Sequence, residues 1–393
     1  MLRMNSTEEE AVTQADALQR FRDEVKSIAP DEKLEDEKFM LSWLEARGYD
    51  IPAAVAMLKK SMEWRKQIGA DTILEDFKPP EVLEKYYTGG VCGFDKEGRP
   101  VLVDPWGDLD SRGLLKSCKK SDIMKYECQT MEQLTKVFAE QSKKMGKPIH
   151  QFVLIYDLEH LGMKNLWKPG IDLSNEITAQ LENNYPGRLK VTYVVNAPKL
   201  FPLLFNMIKT FMSDATISSV QVLGTDWKDT LLNVIDADQL PVKYGGTMKD
   251  PDGDESCKSM ILYGGIIPQS LYIGLAHEQS NRSLLETSVK SHSSLNLPFE
   301  VKEPNSTMSW EFRTEKNDIE FGIFHKKSDS EDEKDMQSII PKQRVNSHMV
   351  PETGAVTCQE AGTYIVKFDN SYSRMRSKKL FYSVDITGPA QEA

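Results

Sequence analysis

Two almost unbroken apolar runs, Phe152-Val153-Leu154-Ile155-Tyr156 and Val191-Thr192-Tyr193-Val194-Val195, constrain the fold of this chain more than any other feature. A strand with no polar alternation must be covered on both faces, as in a mainly parallel sheet held between helices. Leu173 to Asn184, between the two runs, has helical character. Arg99-Pro100-Val101-Leu102-Val103 reads as a strand after a turn at Asp95-Lys96-Glu97-Gly98, and Val220-Gln221-Val222-Leu223 supplies another. Ile123 to Ala139 reads as a helix, and the order predicts an α/β domain.

Helices are expected before it, from about Thr7 to Gly69. Glu8, Glu9 and Glu10 sit where a helix N-terminus favours negative charge. Phe21, Val25 and Ile28 follow at helical spacing. A second helix carries Phe39, Met40, Trp43 and Leu44 and stops at Gly48. A third starts near Pro52 and turns Val55, Leu58, Met62 and Trp64 inward. After the sheet, Asp250-Pro251-Asp252-Gly253-Asp254-Glu255-Ser256 is polar and turn-rich. Beyond about Pro268 the period becomes two: Met308, Trp310 and Phe312; Tyr364, Val366 and Phe368; Leu380, Tyr382, Val384 and Ile386. Short alternating stretches separated by polar turns predict an antiparallel sandwich, with Lys326 to Asp335 as a charged loop.

Composition narrows the function. The 393 residues are 39% hydrophobic and 28% charged, as expected of two or three globular domains. A net charge of -11 argues against nucleic acid as main partner. The N-terminus lacks an apolar secretory core, and no apolar run reaches the ~18 residues that span a bilayer. Cys92, Cys118, Cys128, Cys257 and Cys358 are odd in number, scattered and without CxxC spacing, so a reduced, cytoplasmic protein is expected. The sequons at Asn5, Asn281 and Asn305 are then chance matches.

Leu200 to Met212, LFPLLFNMIKTFM, is apolar at nine of thirteen positions, almost all round a helix. It is too short to span a membrane. It reads equally as a buried core helix or as a lid that faces a cavity when closed and a bilayer when open. Pro198, Pro202 and Ser213-Asp214 bound it.

Enzyme signatures are sparse. There is no GxxxxGK[ST] loop, and Gly89-Gly90-Val91-Cys92-Gly93 is not GxGxxG. His277-Glu278-Gln279-Ser280-Asn281 lacks the second His of HExxH, and GxSxG is absent. Cys92 has no local partner, and a structural thiol is the simpler account. Asp157, Glu159 and His160 follow an apolar strand, where catalytic groups occur, although turn and capping roles explain them. The six histidines show no metal-ligand spacing. No catalytic residue, metal or cofactor is therefore expected. Ser371 to Lys379 is a basic stretch that could touch an anionic membrane, but reads better as a solvated strand edge.

Taken together these residues resemble a family. Phe39 to Asp50, then Met57-Leu58-Lys59 and Glu63-Trp64-Arg65-Lys66, are similar to the helical unit that opens the CRAL-TRIO lipid-binding proteins. Asp95 to Val101 matches the D-x-x-G-R-P-V turn, and Ile155-Tyr156-Asp157 the strand ending in Asp. Tyr185-Pro186-Gly187-Arg188-Leu189, Asn196-Ala197-Pro198 before the gate helix, Val222-Leu223-Gly224 and Leu240 to Gly246 follow in order. Phe321-Gly322-Ile323-Phe324, Gly362-Thr363-Tyr364 and Phe368 to Ser373 resemble a GOLD domain. Leu166 to Pro169, Ala197 to Pro202 and Tyr244 to Met248 resemble the tocopherol-associated subgroup of the family.

The resemblance implies a helical unit over 1–75, an α/β lipid-binding domain over 76–249, a linker over 250–267, a GOLD β-sandwich over 268–387 and a tail over 388–393. It implies a non-enzymatic carrier of one hydrophobic ligand, tocopherol-, squalene- or isoprenoid-like, with transient membrane contact. Phe152, Leu154, Tyr156, Tyr193 and Val195 would line its cavity, and Phe201, Leu204, Phe205, Ile208 and Phe211 would form the gate. A protein partner through the GOLD domain is a further expectation.

The phosphatidylinositol/phosphatidylcholine branch of the family holds choline with polar residues where this chain has Val91, Phe152 and Leu154. Of its inositol phosphate contacts only Arg47 is matched, while Gly187 and Ser219 depart. An unpaired buried phosphate is costly. An uncharged ligand is therefore expected. The alternative is a phosphatidylinositol/phosphatidylcholine sensor, or a GOLD-mediated adaptor in membrane trafficking.

Overall fold

Aspartates start two of the first helices, Glu37–Glu45 and Ile51–Ile68. The carboxylate of Asp36 accepts from Phe39 N and that of Asp50 from Ala53 N, each at 3.0 Å, satisfying amides that a helix start leaves free. The computed structural model describes residues 6–162, 165, 167–273, 284–327 and 333–389. Its first helices are α1 (Ser6–Val25), α2 (Asp31–Glu35), α3 (Glu37–Glu45) and α4 (Ile51–Ile68). Phe21, Val25, Met40, Trp43, Leu44 and Leu58 bury their side chains together. Short helices α5 (Ile73–Asp76) and α6 (Glu81–Tyr86) lead to the sheet.

The sheet has five strands in the order β1 (Gly90–Phe94), β2 (Pro100–Asp104), β3 (Phe152–Asp157), β4 (Leu189–Val195) and β5 (Val220–Val222). β1 is antiparallel to β2 and the remaining pairs are parallel. The mainly parallel sheet follows from the apolar runs. β1 escapes sequence reading because glycines interrupt it. A Cβ at Gly90 would stand 1.9 Å from Met260 O, and one at Gly93 would stand 2.3 Å from Gln239 O. Neighbouring backbone passes too close there for any side chain.

Between the strands run α7 (Ser111–Ser117), α8 (Lys120–Met145), α9 (Lys168–Asn184), α10 (Phe201–Ile208) and α11 (Asp214–Ser219), and α12 (Trp227–Val234) follows β5. One sheet face carries Val101, Val103, Val153, Ile155, Tyr193 and Val195, packed with Leu231, Ile235, Leu240, Tyr244 and Ile261. The other face is described below. The segment 250–267, expected as a linker, belongs to this unit. Cys257 and Ile261 are fully buried, and Leu262 pairs its backbone with Gly89.

A second unit is formed by residues 112–120 and 268 onward. One of its sheets runs β10 (Gln337–Val345), β9 (Ile319–Lys326), β12 (Gly362–Asp369), β7 (Ser294–Val301). The other runs β11 (Glu352–Cys358), β8 (Ser306–Thr314), β13 (Lys378–Thr387), β6 (Leu285–Val289). All pairings are antiparallel. Phe312, Phe321 and Phe368 meet in the core with ring centroids 4.7 to 5.6 Å apart. Lys119 and Lys120, just after α7, donate to the carbonyls of Thr353 and Arg344. Of the charged loop expected over 326–335, residues 328–332 lie outside the described residues, as do His277, Asn281 and Leu166.

Candidate lipid-binding site

The second face of the parallel sheet looks onto a cavity of about 770 Å³. Side chains alternate along each strand, so Leu102 and Asp104 of β2, Phe152, Leu154 and Tyr156 of β3, and Thr192 and Val194 of β4 share that face. α8 contributes Glu127, Thr130, Met131 and Leu134, and α9 contributes Ile177, Thr178 and Leu181.

The segment expected as a gate forms α10. Phe201, Leu204, Phe205 and Ile208, spaced as one helix face, line the cavity. The Phe201 and Phe205 rings stack with centroids 5.5 Å apart. The opposite face carries Leu203 and Met207, and Phe211 continues it on the 3-10 turn Lys209–Phe211. These three are 49%, 41% and 48% exposed. One short element thus presents apolar groups both to the cavity and to the outside.

Four of the expected residues need correction. Tyr193 and Val195 belong to the opposite face, packed with Ile235, Leu240 and Tyr244. The β3–β4 pairing sets this: Leu154 lies beside Thr192 and Tyr156 beside Val194, after a register shift between Phe152 and Val153. Reasoning from bulk chose Tyr193, whereas pairing chooses Thr192. Phe211 faces outward rather than inward. Arg47 is exposed, and its guanidinium donates to its neighbour Ala46 O at 2.8 Å. It does not line the cavity, although Ala46 and Gly48 do. Gly187 and Ser219 do line it. Gly187 has a φ of +69° and Ser219 Oγ donates to Thr216 O at 2.7 Å.

Sequence reasoning also missed polar groups at two ends of the cavity. Under the C-terminal edge of the sheet, Asp104 and Glu127 line the wall with Tyr87, Trp106 and Tyr156. The Tyr87 hydroxyl donates to Glu127 Oε1, and Asp104 Oδ1 has no hydrogen-bond partner. Burial pushes the Asp104 carboxyl up to about 6, against relief from Thr88, with nearby Asp157 adding to the rise. Burial likewise pushes Glu127 up to about 7, against the Tyr87 bond, with Asp104 adding to it. The clue in the sequence is Glu127 itself, a charge in the stripe Ile123, Met131, Leu134 of α8.

At the N-terminal edge of the sheet lie Arg188 and Lys190. Burial lowers the Arg188 pKa, and its guanidinium stands 5.5 Å from the Phe138 ring centroid. Nearby, Arg65 donates to Asp71 at 2.6 Å and to Glu132 at 2.7 Å, and Tyr185 OH donates to Glu132 at 2.7 Å. This network ties α4 to α8 behind the cavity.

Asp157, Glu159 and His160 lie off the cavity. The Asp157 carboxylate accepts from Asn196 Nδ2 at 2.8 Å, Tyr244 OH at 3.1 Å and Glu159 N at 3.0 Å. His160 Nδ1 lies 2.8 Å from Asp108 Oδ1.

Comparisons with known proteins agree with this architecture. The CRAL/TRIO domain model matches residues 84–246, and the model described as Golgi-dynamics membrane-trafficking matches 327–387. The chain is 30% identical to "Protein ctg-1" of Caenorhabditis elegans over 94% of its own length and 96% of that protein's. It is 30% identical to "Protein real-time" of Aedes aegypti over 90% of its own length, and spans 58% of that longer protein. Against "CRAL-TRIO domain-containing protein T23G5.2" of Caenorhabditis elegans, identity is 32% over 74% of this chain and 41% of that one. The crystal structure of Sfh5 superposes with a TM-score of 0.50 and 17% identity, covering 71% of this chain and 99% of that one, a likeness of fold. With both models matched and a relative shared nearly end to end, the chain belongs to the CRAL-TRIO lipid-binding and transfer family, in the form that carries a C-terminal GOLD domain.

Proposed function

We propose that this chain is a non-catalytic carrier that moves one uncharged, largely apolar lipid, of the isoprenoid or tocopherol kind, between membranes. It works in the cytoplasm and touches membranes only during exchange. The observation that carries the reading is the two-sided gate over a large, mostly apolar cavity. A cavity of about 770 Å³ is at the upper end of the ~300–1,000 Å³ range for small-molecule sites.

The physical reason for a gate is kinetic. Exposing a lipid tail to water costs ~0.8 kcal/mol per methylene, so a twelve-carbon stretch opposes release by roughly 10 kcal/mol. With Phe201, Leu204, Phe205 and Ile208 inside and Leu203, Met207 and Phe211 outside, an opening gate keeps an apolar path from cavity to bilayer. The absence of catalysis is supported by the Asp157 network, whose bonds account for a structural role. Burial also raises the Cys92 thiol to about 12, far from a nucleophile's range.

Native mass spectrometry of the freshly purified protein, followed by lipid extraction, tests the reading. One stoichiometric neutral lipid is the expected result. A stoichiometric phosphoinositide would overturn the ligand class. The match to the membrane-trafficking model favours one second reading, an adaptor whose GOLD domain binds a protein partner. Loss of partner recruitment on deleting the sandwich would support it.

A further inference from the structure

An apolar cavity gains nothing from an ionisable wall unless the guest uses it. A buried carboxyl costs stability, least where it has a partner, as Glu127 has in Tyr87, and most where an oxygen has none, as at Asp104 Oδ1, so both need an explanation. Each faces the cavity, and Asp104 Oδ1 is enclosed with no partner in the protein. The charge that acts on Asp104 is Asp157 and the charge that acts on Glu127 is Asp104, both negative. Among the described lining residues the cations are Arg188 and Lys190. These sit beside Phe152, whereas Asp104 pairs with Tyr156. Four residues at about 3.3 Å each separate the two ends by about 13 Å.

We propose that Asp104 and Glu127, framed by Tyr87, Trp106 and Tyr156, form a subsite that receives a hydrogen-bond donor, a hydroxyl or an ammonium, on a single-headed lipid without phosphate. This rests on the carrier reading: a hydroxyl narrows the neutral ligand of that reading, whereas an ammonium extends it to a cationic head. A hydroxyl supplies the hydrogen that Asp104 Oδ1 lacks. An ammonium does so too, and the rings of Trp106 and Tyr156, stacked with centroids 5.6 Å apart, suit a cation. A phosphate would meet two carboxyls with no cation beside them. With their carboxyls near 6 and 7, the pair offers an acceptor at neutral pH. A pure hydrocarbon leaves the subsite unused.

The test is displacement of a fluorescent alkyl reporter from the lipid-stripped full-length protein by dodecane, dodecanol, dodecylammonium and dodecyl phosphate. Dodecanol and dodecylammonium are expected to bind about tenfold more tightly than dodecane, the worth of one hydrogen bond to a buried carboxyl. Dodecyl phosphate is expected to be weaker than dodecanol. In Asp104→Leu with Glu127→Met the alcohol-to-alkane ratio should fall to within about twofold. If that variant does not fold, Asp104→Asn with Glu127→Gln keeps the shape and should lose the ammonium preference selectively. Equal affinities for all four probes in the native protein, an alcohol-to-alkane ratio that survives Asp104→Leu with Glu127→Met, or an ammonium preference that survives Asp104→Asn with Glu127→Gln, overturns the subsite alone. Failure of every probe to displace the reporter overturns the carrier reading with it.

Discussion

Asp104 and Glu127 tie stability to pH in a direction opposite to that of most paired carboxylates. Burial raises both, so the folded chain holds protons that the unfolded chain has released once pH passes about 4. Stability from this source is present at low pH and falls as pH rises to about 7. The groups facing the pair are Thr88, Tyr87, Tyr156 and Asp157, and none is a cation. Between pH 4.5 and 7.5 the lipid-free native protein should lose on the order of 3 kcal/mol more stability than Asp104→Asn with Glu127→Gln. Parallel urea titrations at the two pH values measure it, and equal losses would refute the buried-pair account. Arg65 holds a paired network instead. Its guanidinium is 9% exposed and its partner Glu132 15%, so Arg65→Ala strands a buried carboxylate. A loss of about 3 kcal/mol is expected in urea melts, with Arg65→Lys recovering only part because its ammonium lacks the fork. Neither network was legible in the sequence. Arg65 was read as part of a family motif without its partners, because Glu132 and Tyr185 meet it only through the fold.

The proposed gate was legible as a segment but not as an orientation. Thirteen residues that are apolar almost all round mark something that meets two apolar surroundings. Which residues face which side depends on where the sheet stands. The structure gives Phe201, Leu204, Phe205 and Ile208 to the cavity and Leu203, Met207 and Phe211 to the outside. The two faces should therefore fail differently. Phe205→Asp places a charge against the cavity and should abolish lipid loading, read by mass spectrometry of the recovered protein. Leu203→Ser with Met207→Ser leaves the cavity wall intact. It should slow lipid transfer between vesicles by at least about tenfold, since each inserted side chain contributes about 1.5–3 kcal/mol to the membrane-bound state. Transfer at the native rate in that variant would remove the outer face from the mechanism. β4 shows where element-level reading stops. A period of two does not say which residue of a pair is inward, and the shift beside Phe152 makes extrapolation from β3 unsafe.

At the scale of the molecule, the change of period after the sheet made the sandwich readable, because alternation over β8, β12 and β13 repeats the same face. What stayed hidden were the pieces that join a core without a period: 250–267, through Cys257 and Ile261, and residues 112–120 with the second unit. Each unit has its own buried cluster, one around Val153, Ile155 and Tyr244, the other around Phe312, Phe321 and Phe368. A lipid that binds only the folded first unit stabilises it by about 2.7 kcal/mol at a hundredfold excess over the dissociation constant. That increment reaches only the openings that would release the lipid. Amide hydrogen exchange with and without ligand should therefore slow along β3, β4, α9 and α10, while β7 to β13 exchange unchanged if the protein is a carrier alone. Equal slowing in the sandwich strands would mean that lipid occupancy reaches the GOLD domain, as an adaptor switched by its cargo requires, because two sites are coupled only where a ligand at one changes the stability of the other.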